Sequence, residues 1–397
     1  MLSEIAKQFS TPVYVYNAHK IEEKIQLFKD SFSAAPLKIK YAMKALSNIN
    51  ILKLMKKNGV GIDAVSIHEV EIALKAGFNP AAILFTPNCV CFSEIEKAVD
   101  LGVLVNIDSI TNLEKFGNKY KNTVPCCIRL NPHLMAGGNH KISTGHIDSK
   151  FGISVYQLQH ILKVVENFDI QVNGLHVHTG SDILDSRVFL TGANILFDAA
   201  RNFKNLQFID FGSGFKVAYK DDDIVTDIKD LGKTLTDAFN TFCSDYGSKL
   251  ELWFEPGKFL VSESGTLVTR VTSIKTTPTT VFVGVDTGLH HLIRPMMYDS
   301  YHTIENLSSG SGPKRVYTVV GQICETDTLG QDRLLHEVRE GDLLGIRNAG
   351  AYGYSMASNY NSRLRPAEVL IYNDSYHLIR ERETLDDVLK DQIVIDL

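Results

Sequence analysis

Leu37-Lys38-Ile39-Lys40-Tyr41-Ala42-Met43-Lys44-Ala45 is the stretch on which the reading of the fold turns. Residues 37–43 are predicted as a strand, and Lys44 falls where the chain passes into a helical pattern. A lysine in that place points at whatever lies above the strand end. Seven more strand-like runs follow, over 61–65, 82–85, 103–107, 126–130, 172–177, 207–211 and 250–254. Between them lie amphipathic stretches such as 66–76, 93–101, 155–166, 186–203 and 225–246. Eight strands, each followed by helix, predict an α/β fold with a (β/α)8 TIM-type barrel. A doubly wound open sheet would carry a glycine-rich turn after its first strand, and Lys44-Ala45-Leu46-Ser47 is not one.

Beyond Gly257 helical periodicity fades. Strands are predicted over 266–276, 280–285, 315–324 and 343–347, so a mostly-β domain follows the barrel. The expected division is a barrel over 20–258, with 1–19 and 259–397 forming the β-domain. The alternating run Pro12-Val13-Tyr14-Val15-Tyr16 is expected to join the C-terminal sheet. The longest stretch without periodicity, 131–150, is rich in glycine and histidine. A loop of that length in a compact domain is usually functional, so it is a candidate lid.

The 397 residues are 44% hydrophobic and 22% charged, ample for a large core, and the formal net charge is -5. A nucleic-acid binder would usually carry a basic excess. No apolar run approaches the about 20 residues of a membrane span, and the first ten residues lack the pattern of a signal peptide. Cys89, Cys91, Cys126, Cys127, Cys243 and Cys324 do not match common zinc spacings, so no metal is expected. Free thiols in a reducing cytoplasm are the simplest expectation.

In such a barrel the chemistry sits at the C-terminal ends of the strands. The residues there are Lys44, Asp63, Thr86, Asp108, Arg129, His178, Gly212 and Glu255. Each has an ordinary explanation alone. Lys44 could be a solvated surface lysine, Asp63 or Asp108 could cap the next helix, Arg129 could pair with one of them, and His178 could be structural. Together they set an amine, an imidazole, a guanidinium and several carboxylates on one rim. Phe211-Gly212-Ser213-Gly214-Phe215 and Glu255-Pro256-Gly257 follow strands seven and eight, the usual phosphate site of this fold. Glycines let backbone approach a phosphate closely. A lysine amine beside a phosphate site points to pyridoxal 5'-phosphate, whose aldehyde forms a Schiff base with lysine and whose ring is an electron sink. The sink works best with the ring nitrogen protonated, a form that a neighbouring carboxylate favours. Glu255 could be that carboxylate, and His178 could lie against the ring face.

With these motifs the chain resembles the fold-type III pyridoxal-phosphate decarboxylases, in which an alanine-racemase-like barrel precedes a β-domain. The resemblance runs from about Thr11 to Leu370. It is carried by Tyr41-Ala42-Met43-Lys44-Ala45, His176-Val177-His178-Thr179-Gly180-Ser181, the 211–215 turn and Glu255-Pro256-Gly257-Lys258. In the second half it rests on 292–298, on Cys324-Glu325-Thr326-Asp327 and on 350–358. It implies that Lys44 bonds the cofactor, His178 stacks on its ring and Glu255 pairs with its nitrogen. Ser181, Gly214, Tyr352 and the turn Glu255, Pro256, Gly257, Lys258 would surround the phosphate. Cys324 would be the proton donor, supplied with Glu325 across the interface of a homodimer with shared active sites. Arg294, Tyr298, Glu325, Tyr352 and Lys258 would meet the substrate.

Three departures stand out. Ile67-His68 replaces the family's usual Gly-Gly, Ser213 is the middle of its usual triple glycine, and Lys258 replaces an arginine. Lysine offers a point charge where arginine offers a two-pronged fork, so the contact at 258 is left open.

The implied reaction is α-decarboxylation of a small amino acid. A substrate with a second amino-acid end needs a cation and an anion close together. Arg294 with Tyr298 suits the carboxylate and Glu325 the ammonium, which favours meso-2,6-diaminopimelate going to L-lysine and CO2, the last step of lysine biosynthesis. Such paired recognition discriminates strongly, on the order of 10⁴. The main rival is a decarboxylase of ornithine, lysine, arginine or a carrier-bound amino acid. A racemase would be expected to set an arginine against the ring nitrogen, and a barrel-only cofactor-binding protein would lack the β-domain.

Overall fold

A computed structural model describes residues 1–134 and 148–397 of the chain. The candidate lid over 131–150 therefore lies largely outside the described residues. The chain divides into two compact units. One comprises 23–217 and 224–259, and the other 1–22, 218–223 and 260–397.

The strands, in chain order, are β1 Val13–Asn17, β2 Leu37–Ala42, β3 Gly61–Ala64, β4 Ile83–Phe85, β5 Leu104–Ile107, β6 Cys126–Asn131, β7 Ile153–Ser154, β8 Val172–Val177, β9 Phe208–Asp210 and β10 Glu251–Phe254. β2 to β6 and β8 to β10 pair in parallel in the order β5-β4-β3-β2-β10-β9-β8-β6, and β6 pairs back with β5. That last pairing closes the sheet into a (β/α)8 barrel with all eight expected strands. β7 is a two-residue addition beside the end of β6.

Local chemistry explains the helices between them. In the helix Ala18–Ser31, Ile25 and Phe28 are buried on one stripe, which Phe32 continues. Phe28 and Phe32 stack with ring centroids 4.8 Å apart, and Phe28 also meets Phe215, Phe254 and Phe259. A ring buried this way is worth about 2–3 kcal/mol. The helix Ile228–Tyr246 starts where the Asp227 carboxylate accepts from the backbone N–H of Lys229 and Asp230, and it ends at Gly247 with φ +80°. These are the expected N-cap and left-handed glycine stop.

The other unit holds β11 Gly265–Thr276, β12 Val281–Val285, β13 Ile304–Asn306, β14 Lys314–Val320, β15 Thr328–His336, β16 Leu343–Ile346, β17 Ala367–Tyr372 and β18 Ser375–Arg380. Their sheet runs β15-β14-β12-β11-β1-β17-β18, with β16 on β11 and β13 on β16. β1 lies antiparallel to β11 (Val13 opposite Val268) and parallel to β17 (Val13 opposite Ala367). Its core gathers Ile5, Val13, Val15, Val268, Leu343 and Val369. The strand expected over 315–324 stops at Val320, and Asp327 explains the stop. Its buried carboxylate accepts from the N–H of Leu289 and Ile323, turning the chain away from the sheet before Cys324. β13, β15, β17 and β18 were not anticipated.

Candidate active site

The barrel interior is built by a period of two. Side chains on alternate residues of a strand share a face, and in-register partners share it across the sheet. Arg129 pairs with His176, His176 with Asp210, and Asp210 with Trp253. Phe208, two residues before Asp210 on the same strand, stacks on Trp253 at 3.7 Å, and the pair packs with Leu84 and Cys127. The Lys40 amine lies 4.3 Å above the Trp253 ring and donates to the Ala82 carbonyl at 3.1 Å. This apolar floor supports a polar layer in which Asp63, Arg129, His176 and Asp210 are all buried. Lys44, His178 and Glu255 follow at the strand ends.

Lys44 is at the outlet of β2, in the short 3-10 turn Met43–Ala45, and its Nζ lies 3.9 Å from Asp63 Oδ2. Asp63 is therefore not a helix cap. Ser66 takes that role by accepting from Glu69 N, and Ser109 does the same for the helix after Asp108. Burial, then the charge of Glu255, pushes the Asp63 carboxyl above its ordinary range, with Lys44 acting the other way.

Glu255 leaves β10 pointing inward, and its Oε2 lies 3.2 Å from His176 Nε2. Burial alone would raise the Glu255 carboxyl. The contact with His176, then Lys44 and His178, outweighs it and holds the group low. Burial also keeps both histidines below the usual imidazole range, so His176 is neutral near neutral pH. Its hydrogen bond, which a neutral ring still donates, is then what favours the Glu255 carboxylate. Glu255 Oε1 is buried and has no hydrogen-bond partner among the described residues.

Two glycines shape the loop after β9. Gly212 has φ +60° and Gly214 φ +128°, whereas Ser213 has no left-handed backbone. The middle position of the usual triple glycine is thus the one that tolerates a side chain. A Cβ at Gly212 would meet His178 Nδ1 at 2.7 Å, and one at Gly214 the Gly180 carbonyl at 2.6 Å. Asp210 Oδ1 accepts from Gly212 N at 2.8 Å, and His178 Nδ1 accepts from Ser213 N at 3.1 Å. The imidazole is thereby tied to the loop. Lys258 is nearly buried. Its Nζ donates to Ser181 Oγ at 2.9 Å and meets Asp182 Oδ1 at 2.5 Å.

Pyridoxal phosphate fits this set. Its ring N–H would meet the one unsatisfied Glu255 oxygen, its aldehyde the Lys44 amine, and its phosphate the bare backbone at Gly212 and Gly214 with Ser181. His178, kept uncharged by burial, is suited to lie against the ring.

In the other unit, buried Arg294 packs against the rings of Tyr219, Tyr298 and Tyr352, 5.5, 5.7 and 5.9 Å from their centroids. Arg294 Nη2 also donates to Ser300 Oγ at 3.2 Å. Cys324 is exposed, and its N–H donates to Asn361 Oδ1 at 2.8 Å. Glu325 Oε1 accepts from the Tyr360 hydroxyl at 3.1 Å. Among the described cysteines none is in a disulfide.

Sequence reasoning missed His176, Asp210, Asp182 and Tyr219. The first two had a signal: each lies two residues before a predicted rim position (His178 and Gly212), so each shares that position's face. Asp182 and Tyr219 had none, because nothing in their local sequence says which side chain a distant residue will meet.

Fold and site together define a barrel enzyme of the pyridoxal-dependent decarboxylase class. The family model for the pyridoxal-dependent decarboxylase, pyridoxal binding domain, matches residues 18–262. The chain belongs to the diaminopimelate decarboxylase family. It is 36% identical to a diaminopimelate decarboxylase of Methanothermobacter thermautotrophicus, over 98% of this chain and 94% of that one. It is likewise 36% identical to one of Archaeoglobus fulgidus, over 98% and 95%. The crystal structure of diaminopimelate decarboxylase from Helicobacter pylori complexed with L-lysine is 32% identical, superimposes with a TM-score of 0.91, and covers 98% of each chain.

Proposed function

We propose that this enzyme removes one carboxylate of meso-2,6-diaminopimelate, giving CO2 and L-lysine with pyridoxal phosphate as cofactor. The observation that carries the reading is the likeness, over nearly the whole of both chains, to a diaminopimelate decarboxylase complexed with L-lysine. When bound, the cofactor supplies an electron sink for the bond broken as CO2 leaves. Lys44 would hold the cofactor through its amine, Glu255 would pair with the ring nitrogen and favour its charged form, and His178 would lie against the ring face. Ser181, Gly214, the turn Glu255, Pro256, Gly257, Lys258 and Tyr352 bind the phosphate.

At the substrate's far end, Arg294 and Tyr298 take the carboxylate and Glu325 the ammonium, with Lys258 and Tyr352 completing the contacts. The proton returned to Cα comes from Cys324 of the partner subunit in a homodimer. The exposure of Cys324 and the hydrogen bond holding Glu325 support a role for this segment at an interface. The thiol proton donor and the metabolic step suit a reducing cytoplasm. Among the described residues no helix is long and apolar enough to cross a membrane.

The test is product analysis on meso-2,6-diaminopimelate, ornithine, lysine and arginine. CO2 with L-lysine from the first, and little from the others, is expected. Turnover of ornithine or lysine without turnover of diaminopimelate would overturn the reading. Arg294→Ala is expected to cut kcat/KM for diaminopimelate by about 10²-fold or more, because a buried carboxylate would lose its partner. Cofactor affinity, read by absorbance titration, should change little.

A further inference from the structure

We propose that His176 is a positioning residue for this reaction, donating its Nε2–H to Glu255 Oε2 so that Oε1 faces the cofactor ring nitrogen as part of a carboxylate. The inference rests on the assignment of Glu255 to that nitrogen and goes beyond it, by naming what holds the acid in place.

The geometry is local and complete. His176 has no exposed side-chain surface and Glu255 is 7% exposed, at a separation of 3.2 Å. A buried carboxylate without a partner would take up a proton, because charge in a low-dielectric interior is costly. A neutral acid could not stabilise a protonated ring nitrogen. One donor on Oε2 leaves Oε1 as a free acceptor, and Oε1 is the atom with no partner among the described residues.

The donor must be on the correct ring nitrogen. His176 Nδ1 and Asp210 Oδ2 are both buried and unpartnered among the described residues. One ligand atom from each of His176, Asp210 and Glu255 lies within 4.8 Å of the others. Burial, then the charge of Glu255, raises the Asp210 carboxyl well above its ordinary range. An ionised carboxylate can only accept, so the hydrogen bond to Glu255 Oε2 requires the ring proton on His176 Nε2 and leaves Nδ1 unprotonated. A protonated Asp210 adds no second negative charge beside Glu255. The other charged or titratable groups around it are Arg129 on β6, Lys44 beyond β2 and His178 just past the end of its own strand. Two carboxylates and an imidazole could in principle hold a divalent cation, but Arg129, in register beside His176, opposes that.

The test uses holoenzyme loaded with pyridoxal phosphate labelled with ¹⁵N in the ring. The nitrogen shift is followed against pH in wild type, His176→Phe, His176→Gln and Glu255→Gln. In wild type the nitrogen should remain protonated through neutral pH. In His176→Phe, which fills the space without a donor, loss of that proton should move to lower pH by about one unit or more. There kcat should fall while KM for the substrate changes little. His176→Gln, whose amide N–H reaches the same oxygen, should restore the wild-type titration. If His176→Phe fails to fold, His176→Asn, too short to reach Glu255, is read in its place. An unchanged titration in the donor-less variant, with Glu255→Gln shifted, overturns the inference. If Glu255→Gln also leaves the titration unchanged, the assignment of Glu255 fails and the inference falls with it.

Discussion

Lys258 shows how one residue's chemistry depends on its neighbours. Its amine is nearly buried between Ser181 Oγ and Asp182 Oδ1, and Asp182 has φ +60°, a conformation that aspartate accepts more readily than most residues. An ammonium can point at one carboxylate and still share a hydroxyl, where a guanidinium would need a planar two-pronged partner. Lys258 therefore holds the Ser181 hydroxyl next to the turn that Gly214 packs against. Lys258→Met should leave Asp182 without its cation and loosen that hydroxyl. The expected result is a cofactor dissociation constant raised about tenfold, from the loss of about 1.5–3 kcal/mol of charged hydrogen bonding partly recovered by water. Absorbance titration of apoenzyme would measure it, and an unchanged constant would show that the pair does not order the loop.

At the scale of an element, β8 presents Gly174 and His176 on its inward face, and His178 follows just past its end. The position of Gly174 is decided by packing, not by backbone conformation. A Cβ there would run into the Phe208 ring, which stacks on Trp253 to floor the site. Gly174→Ala should overpack this floor and destabilise the protein by about 1–3 kcal/mol. A lower urea midpoint with unchanged slope is the expected measurement. A midpoint equal to wild type would mean that the stacked pair can shift. The eight strands could be read from the sequence because each is a short apolar run between polar stretches. The β-domain was harder. β15 mixes buried and exposed residues without strict alternation, β17 buries four residues in a row, and β18 at the sheet edge buries none, so none of the three carries a clean alternating signal. β14 was drawn too long because nothing local announces that Asp327 will turn the chain.

For the whole molecule, two expectations follow. If the two sites of a homodimer share residues, mixing Lys44→Ala with Cys324→Ala subunits should restore activity that neither has alone. Random pairing would give about one quarter of the wild-type level, and no recovery would assign Cys324 to the site of its own chain or to none. The second concerns acid. Burial holds His302 neutral, with a pKa lowered to about 3, while its Nδ1 bonds the Arg347 carbonyl at 2.9 Å. An unfolded histidine takes up a proton near about 6.5. The native state cannot, so this contribution is full above that pH and is lost as pH falls toward 3. The raised carboxyls Asp63 and Asp210 act with the opposite sign, so the useful quantity is a difference. His302→Gln should be less stable than wild type at pH about 7.5, and the gap should narrow by about 1.4 kcal/mol per unit once pH is below about 6.5. A constant gap in urea unfolding would contradict a buried neutral His302.

The sequence by itself determined the barrel, its eight strands, the rim lysine and the glycine loop, because strand period, strand-end polarity and turn chemistry are properties of neighbouring residues. It also carried the family motifs. Only the tertiary structure decided that His176 holds Glu255, that Asp182 holds Lys258, and that Tyr219 packs on Arg294. Those pairings join residues 79, 76 and 75 positions apart. Which buried charge meets which is set by register and closure of the sheet, and neither is a local property of the chain.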